Sequence, residues 1–392
     1  MKLTGGQIVA KALKANGVDY VAGMPADGVW ALVEALLTPG TDIPFIQVMQ
    51  EQSAVHLADG YFRACGRPMA VLLPVPLGVS KALGGVAAAL ADSSAMLIIS
   101  GGSVEYGGHP PEDTPLRTTK EQMQVSAIEQ LPHALRHSFD TMLSRVVPVS
   151  LKIPAAVQNA TIDVSLGPAT FRSSSELQRA DLGFKTTASP KDRTPRWRAD
   201  SLSDAAPMLA QRPLAELRLV LERDAILVVG SGSIQALIRE MIPVYYPKSH
   251  LYASSVGMVG WAVPAAIGAK LAMPARQVVC AVGDGDFLQS MQEMAVCVMH
   301  SIPVVFLVFN NSGYVSLSDV QTSVVEQHRA GEFNLPDGKP YSPDFAGIAR
   351  NFGLEAWRVE HASQVNPTFI KALNSKGPSL VEVITARSSR VN

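Results

Sequence analysis

Compact apolar runs rich in β-branched residues recur along the first part of the chain: DYVAG (19–23), IPFIQV (43–48), MAVLL (69–73), AMLIIS (95–100) and VVPVSLKI (146–153). Helix-period stretches of roughly 10–15 residues separate them, a rhythm that predicts βαβ units and a parallel sheet covered on both faces. The same rhythm returns in AILVVG (225–230), QVVCAV (277–282), IPVVFLVF (302–309) and SLVEVIT (379–385). The predicted fold class is therefore α/β, with two doubly wound parallel-sheet domains. No periodic sequence repeat indicates a solenoid. The opening MKLTGGQIVAKALKANG reads as an amphipathic helix rather than a charged leader with an apolar core, so a cytoplasmic protein is expected.

Between the two halves the pattern changes. From Ser165 to about Pro213 the chain carries SSS and TTASPKDRTP with little apolar periodicity, which predicts a connector. The expected division is 1–165, a connector over 166–212, and 213–392. Length agrees, since 392 residues suit two or three domains.

Charge narrows the function classes. With 33 Lys+Arg against 34 Asp+Glu and a formal net charge of −1, the chain lacks the electrostatic footprint of a nucleic-acid or anionic-membrane binder. At 47% hydrophobic and 17% charged residues it can build sizeable cores, which excludes wholesale disorder. The longest apolar stretches, such as 303–309 and 84–91, fall short of the ~20 residues that cross a bilayer. Cys65, Cys280 and Cys297 lack CxxC spacing and read as buried small residues rather than a disulfide framework or a zinc site. A small-molecule protein is the expectation.

Candidate chemistry concentrates in GDGDFLQSMQEMAVCVMHSIPVVFLVFNNSGY (283–314). A strand delivers the Gly283-Asp284-Gly285 turn, a helix starts near Asp286, and a second buried strand ends in the Asn310-Asn311-Ser312-Gly313 turn. In a parallel sheet both turns lie at carboxyl strand ends, where open α/β sheets bind ligands. Gly283 and Gly285 allow close backbone approach to a diphosphate, and the following N–H groups face its charge. Asp284 and Asn311 offer hard oxygen ligands of the kind Mg²⁺ takes, with a backbone carbonyl of the second turn, assigned to Gly313, beside them. A second acid, Asp286, is counted with Gly283 and Gly285 among the cofactor-binding residues beside the expected diphosphate, the other orientation open to it being that of a helix-start residue pointing away.

This spacing resembles the thiamine diphosphate (ThDP) signature, GDG followed by some two dozen residues and NN. A second segment, FIQVMQEQSAVHLADGYFRACGRP (45–68), is similar to the pyrimidine-binding domain of the same enzymes, with Glu51 at the strand-to-helix turn and Ala58-Asp59-Gly60-Tyr61-Phe62-Arg63 closing the helix. The chain thus resembles the pyruvate decarboxylase and acetohydroxyacid synthase-like superfamily over roughly 1–165 and 213–392. That resemblance implies a pyrimidine-binding (PYR) domain, a diphosphate-binding (PP) domain, and ThDP with Mg²⁺ as cofactors. It also implies Glu51 as the acid–base group at N1′ of the cofactor. Gly23-Met24-Pro25-Ala26-Asp27 matches a GxPxD loop in which the Asp faces substrate and takes part in proton transfer; Asp27 is equally a helix N-cap on its own terms. SSVGMVGWAVPAAIGAKLA (254–272) resembles the loop that bends the cofactor, making Val259 the apolar wedge and the Gly257 carbonyl an acceptor for the 4′-amino group. Gly232 and Ser233 fall near the diphosphate by the same alignment.

The departures bear on substrate. The connector stands where many relatives carry a middle domain, as in the shorter phosphonopyruvate and sulfopyruvate decarboxylases. His109 stands without a paired histidine, and Leu317 occupies the position where the pyruvate decarboxylase branch keeps a glutamate. His109, Arg117 and Lys120 either line the pocket or lie on the surface. The resemblance implies non-oxidative decarboxylation of a 2-oxo acid, with protonation giving an aldehyde or attack on a second carbonyl giving carboligation. It further implies a homodimer or dimer of dimers with sites at the subunit interface. Two alternatives are an acyl-CoA lyase or acyltransferase on the same scaffold, and a catalytically degenerate ThDP-binding partner subunit.

Overall fold

The computed structural model describes residues 2–25, 28–74, 77–101, 119, 121–164, 197–253, 256–316 and 331–387. They fall into two compact units, one within 2–164, 256–258 and 267–272, the other within 197–253, 259–266 and 273–387. Among these residues no helix is long and apolar enough to cross a membrane.

The chain begins β1 (Lys2–Thr4), α1 (Gly5–Ala15), β2 (Val21–Gly23), α2 (Trp30–Leu36), β3 (Phe45–Gln47), α3 (Glu51–Cys65), β4 (Met69–Leu73) and α4 (Leu77–Ala91). It continues β5 (Met96–Ser100), β6 (Glu121–Gln124), α5 (Leu131–Arg145), β7 (Pro148–Lys152), α6 (Ala155–Asn159) and β8 (Thr161–Asp163). The helix expected from the first residues starts only at Gly5: Lys2–Thr4 pair antiparallel with Thr161–Asp163 instead. Thr4 then caps α1, accepting from the Gln7 N–H at 3.2 Å while the Gln7 side chain accepts from the Thr4 N–H at 2.9 Å, which answers two orphan donors of the first turn. Six strands form a parallel sheet in the order β3-β2-β4-β5-β7-β6. The central β4 and β5 are buried at every position because both faces are covered, and their sequences are correspondingly continuous apolar runs.

After α7 (Trp197–Asp200) and α8 (Gln211–Val220) the order is β9 (Ile226–Val229), α9 (Ser233–Met241), β10 (His250–Tyr252), α10 (Ala262–Ala272), β11 (Val278–Gly283) and α11 (Asp284–Phe287). Then come α12 (Met294–Met299), β12 (Val305–Asn310), α13 (Phe345–Phe352), β13 (Glu355–Val359), α14 (Ala362–Leu373) and β14 (Ser379–Ile384). The second parallel sheet runs β10-β9-β11-β12-β14-β13. Leu227, Val229, Val279, Ala281, Leu307, Phe309, Val381 and Val383 project from its inner strands into one core cluster.

Residues 197–212, which composition assigns to the connector, carry structure. Met208 is fully buried and bridges to Thr385, and α8 begins at Gln211, two residues before Pro213. Proline reads as a breaker in sequence, yet in a first helical turn its missing N–H costs no hydrogen bond.

In each sheet the chain steps outward once and then reverses: β2 to β3 and back past β2 to β4, and β9 to β10 and back past β9 to β11. The reversal opens a crevice at the carboxyl ends of β2/β4 and of β9/β11, the positions where doubly wound sheets hold ligands.

Candidate functional site

In the second unit the chemistry gathers at the ends of β9, β11 and β12. Gly283 is the N-cap of α11 and Asp284 its first residue, 1% exposed. Asp284 Oδ1 accepts from the Gly285 N–H at 3.0 Å and Oδ2 from the Gly313 N–H at 3.1 Å, so one carboxylate ties the GDG turn to the turn after β12. Burial pushes its carboxyl up to about 6, against the pull of those N–H groups. Asn311 lies in the same place: one terminal atom of its amide sits 2.9 Å from the Gly313 carbonyl oxygen and 3.3 Å from Asp284 Oδ1. As nitrogen that atom donates to both; as oxygen it completes a triangle of hard oxygens that a small cation would hold together. Asp284, Asn311 and Gly313, the three predicted metal-ligating residues, are thus brought to one point.

The turn that presents them is fixed from behind. Asn310 donates to Glu382 Oε1 at 2.6 Å, and the other Glu382 oxygen accepts from the Ala346 N–H at 3.1 Å. Arg387 donates to Glu332 at 3.1 Å, Asn334 at 2.8 Å and the Ser312 carbonyl at 3.3 Å, and Ser312 itself holds a left-handed φ of 55°. In front of the GDG turn a Cβ on Gly283 would meet nothing within 4 Å. This is the open face against which a diphosphate could lie.

Asp286 resolves the question of the second acid. Its Oδ2 accepts from the Ser231 N–H at 2.8 Å and its Oδ1 from the Gly260 N–H. The carboxylate is spent on backbone amides of two loops, so its charge faces N–H dipoles; burial nonetheless pushes it up to about 6. Asp286 brackets the turn after β9 to the loop before α10. Gly230 is glycine for that reason: a Cβ there would lie 1.9 Å from Asp286 Oδ2. Gly232, at φ 113° and ψ −160°, occupies a region open essentially to glycine alone and delivers Ser233 as the first residue of α9. In the bracketed loop Gly257 has φ 69°, and Val259 is 37% exposed, an apolar side chain left facing outward.

In the first unit Glu51 opens α3 and is 7% exposed. A carboxylate buried at a helix start is favoured by the dipole and needs a partner. Lys81 of α4 supplies one, its Nζ 3.4 Å from Glu51 Oε2. Gly78 packs beside Glu51 and the chain before α4: a Cβ there would lie 2.6 Å from the Pro74 ring and 3.2 Å from Glu51 Cγ. The rest of the motif is architectural. Asp59, wholly buried, accepts from the Ser94 hydroxyl and stands 3.8 Å from Arg63, which reaches Asp92 at 3.2 Å; the Tyr61 hydroxyl donates to Asp19 at 2.9 Å.

Lys81 went unpredicted. Its signal in the sequence is that it is the lone charged residue in the fifteen of α4, LGVSKALGGVAAALA. Asp27, His109, Arg117, Lys120 and Leu317 lie outside the described residues.

Comparison with known proteins shows the family of both halves of the chain. Residues 3–127 match the N-terminal TPP binding domain of thiamine pyrophosphate enzymes, and residues 230–383 match the C-terminal TPP binding domain. A probable acetolactate synthase large subunit from Methanococcus aeolicus is 28% identical over 194 residues, 48% of this chain and 32% of that protein. Sulfoacetaldehyde acetyltransferase from Castellaniella defragrans is 32% identical over 179 residues, 44% of this chain and 29% of that protein. The matched part of the chain thus spans about a third of the length of these curated relatives. A solved structure of a Mycobacterium smegmatis protein, described as a thiamin diphosphate-dependent enzyme, superimposes with a TM-score of 0.79 at 19% identity, covering 98% of this chain and all of that one.

Proposed function

The chain belongs to the thiamine pyrophosphate enzyme family, and from its two half-sites we infer a ThDP- and Mg²⁺-dependent enzyme that decarboxylates a 2-oxo acid without oxidation, with carboligation to a second carbonyl as an outcome of the same site. The observation that carries this reading is the meeting of Asp284, Asn311 and Gly313 at the ends of adjacent strands. Those three residues would hold Mg²⁺, with Gly283, Gly285, Gly232 and Ser233 framing the diphosphate. Asp286 serves as the bracket of the two loops around it, through its contacts to Ser231 and Gly260.

When bound, ThDP supplies the nucleophilic carbon and the electron sink that let a 2-oxo acid lose CO₂. The chain's own task is to move a proton. Glu51, buried beside Lys81, would exchange a proton with N1′ of the aminopyrimidine, a contact strengthened by the exclusion of water. Val259 would press the two rings of the cofactor together, and the Gly257 carbonyl would orient the 4′-amino group. Asp27 is the remaining acid in this reading. The active assembly is a homodimer or dimer of dimers in which Glu51 and the GDG turn of one site come from different copies.

Incubation with ThDP, Mg²⁺ and a panel of 2-oxo acids, with CO₂ and aldehyde followed together, tests the assignment. Stoichiometric CO₂ and aldehyde identify a decarboxylase, and CO₂ in excess of aldehyde identifies a carboligase. No CO₂ from any acid overturns the reading. The name of one relative, sulfoacetaldehyde acetyltransferase, favours a second reading in which the acyl unit is transferred to another acceptor. CO₂-independent consumption of an aldehyde would select it.

A further inference from the structure

One peptide unit stands at the centre of the turn after β12. The Ser312 carbonyl and the Gly313 N–H belong to it, and a trans peptide aims these two groups in opposite directions. The N–H end donates to Asp284 Oδ2 at 3.1 Å. The oxygen end accepts twice, from the Phe333 N–H at 2.8 Å and from Arg387 Nη2 at 3.3 Å. Holding the oxygen from behind therefore turns the N–H toward the carboxylate in front.

The unit needs that hold. Ser312 keeps a left-handed φ of 55°, which a residue with a side chain adopts only where its surroundings enforce it, and Gly313 beside it offers little resistance to rotation of the peptide. Rotated by half a turn, the unit would set the Ser312 oxygen against the Asp284 carboxylate. Residues 331–334 supply part of the restraint. The Tyr314 N–H donates to the Gly331 carbonyl at 2.7 Å, Gly313 bridges antiparallel to Glu332, and a Cβ on Gly313 would lie 2.7 Å from the Gly331 oxygen. Arg387 ties that segment to the peptide: its Nη1 donates to Glu332 Oε2 at 3.1 Å and to Asn334 Oδ1 at 2.8 Å, and its Nη2 reaches the Phe333 carbonyl at 2.6 Å besides the Ser312 oxygen. Four acceptors suit the planar fork of a guanidinium and exceed the three donors of an ammonium. The fifth donor, Nε–H, is buried with no partner among the described residues, a penalty that a merely space-filling side chain would not carry.

We propose that Arg387 is a positioning residue for Mg²⁺: by fixing the Ser312–Gly313 peptide it keeps Asp284, Asn311 and the Gly313 carbonyl converged in the arrangement that holds the ion. The proposal rests on the ThDP and Mg²⁺ reading of this site and adds to it a residue outside the ligand set. The sign of the effect separates this role from a purely electrostatic one. A guanidinium acting only through its charge repels a nearby dication, so its removal would tighten metal binding. A guanidinium acting through geometry has the opposite effect, and its removal weakens metal binding.

Mn²⁺ serves as the probe, because it takes the same oxygen ligands and its free ion is counted by electron paramagnetic resonance; the full chain is titrated with ThDP present. Arg387→Met should weaken Mn²⁺ binding by about 10–100-fold, the usual loss when a group that orients a metal ligand is removed. Arg387→Lys keeps the charge but not the fork, and should weaken binding in the same direction by at least about threefold. In the metal-free variants the Gly313 amide should exchange with deuterium faster than in wild type, while the Gly285 amide, which donates to the same carboxylate, keeps its rate. Unchanged or tighter Mn²⁺ binding in the variants overturns the proposal. So does weaker binding with unaltered exchange at Gly313, or with an equal rise at Gly285, which would mean a general loosening of the site. If Arg387→Met does not fold, Arg387→Lys decides by the same criteria. Where wild type binds Mn²⁺ with ThDP present, any of those results removes only the role of Arg387. A wild type that binds no Mn²⁺ under these conditions overturns the Mg²⁺ reading, and the proposal with it.

Discussion

Two carboxylates of this chain are buried for opposite ends. Asp284 gathers the N–H groups of Gly285 and Gly313 beside the Asn311 amide, where the proposed Mg²⁺ would lie, while Glu51 sits at a helix start with an ammonium for company. Substitution separates the roles. Glu51→Gln keeps shape and loses the exchangeable proton, so turnover should fall by about 10²–10⁴-fold with ThDP affinity nearly unchanged; steady-state assay and calorimetry on the same preparation check both halves. On the proposed reading Asp284→Ala removes the one charged member of the Mg²⁺ set, so Mg²⁺ should no longer raise ThDP affinity in calorimetry. The Asp284 set was legible in sequence because each of its members lies in a turn ending a strand, where spacing alone fixes placement. The Asp286 bracket was not: Ser231 stands 55 residues away and Gly260 stands 26 away, and no local pattern announces such a contact.

At the level of elements, that bracket makes a prediction. Gly230→Ala puts a methyl where Asp286 Oδ2 lies, and Asp286 cannot move without releasing Ser231 and Gly260. Overpacking of this kind costs about 1–3 kcal/mol, to be read as a lowered denaturation midpoint at constant m-value. Helix α3 supplies a pH test. His56 is 1% exposed, and burial alone drives it from 6.5 down to about 3. The unfolded chain therefore takes up the proton first: the stabilising contribution is full above pH 6.5 and is lost as pH falls toward 3. Asp284 and Asp286, pushed up to about 6, act with the opposite sign, since their folded forms protonate first. The difference between wild type and His56→Leu cancels them. Wild type should lose stability relative to His56→Leu on acidification below pH 6.5, by up to about 1.4 kcal/mol per pH unit, measured by urea unfolding between pH 7 and 4.

Which strands escaped the sequence reading follows a physical rule. The inner strands β4, β5, β9, β11, β12 and β14 are buried on both faces and announce themselves as apolar runs. The overlooked β6, β10 and β13 are edge strands: EQMQ, HLY and EAWRV carry polar residues because one side of each faces outward. The ribbon of β1 and β8 pairs residues 2–4 with 161–163, a contact between distant segments that periodicity does not register.

At the level of the molecule, the two six-stranded sheets share one strand order, with β2-β3-β4-β5-β6-β7 and β9-β10-β11-β12-β13-β14 occupying equivalent places. Each sheet therefore has its own switch point, with Glu51 following the outer strand of one and Asp284 following an inner strand of the other. If a working site takes its halves from two copies, then Glu51→Gln and Asp284→Ala variants, each inactive alone, should regain activity when unfolded and refolded together. Random pairing in a dimer gives about a quarter of the wild-type rate. No recovery would mean that both halves come from a single copy.

The amino-acid sequence by itself determined the α/β class, the buried strands and the residues of the two turns that meet at Asp284. Those depend on local periodicity and on spacing between neighbouring strand ends. Only the tertiary structure decided where charge goes once it is buried: that Asp286 turns to two backbone loops, that Glu51 is answered by Lys81, and that the edges are closed by polar strands. A buried charge takes whatever partner the packed chain brings within reach, and that choice is made across elements rather than along them.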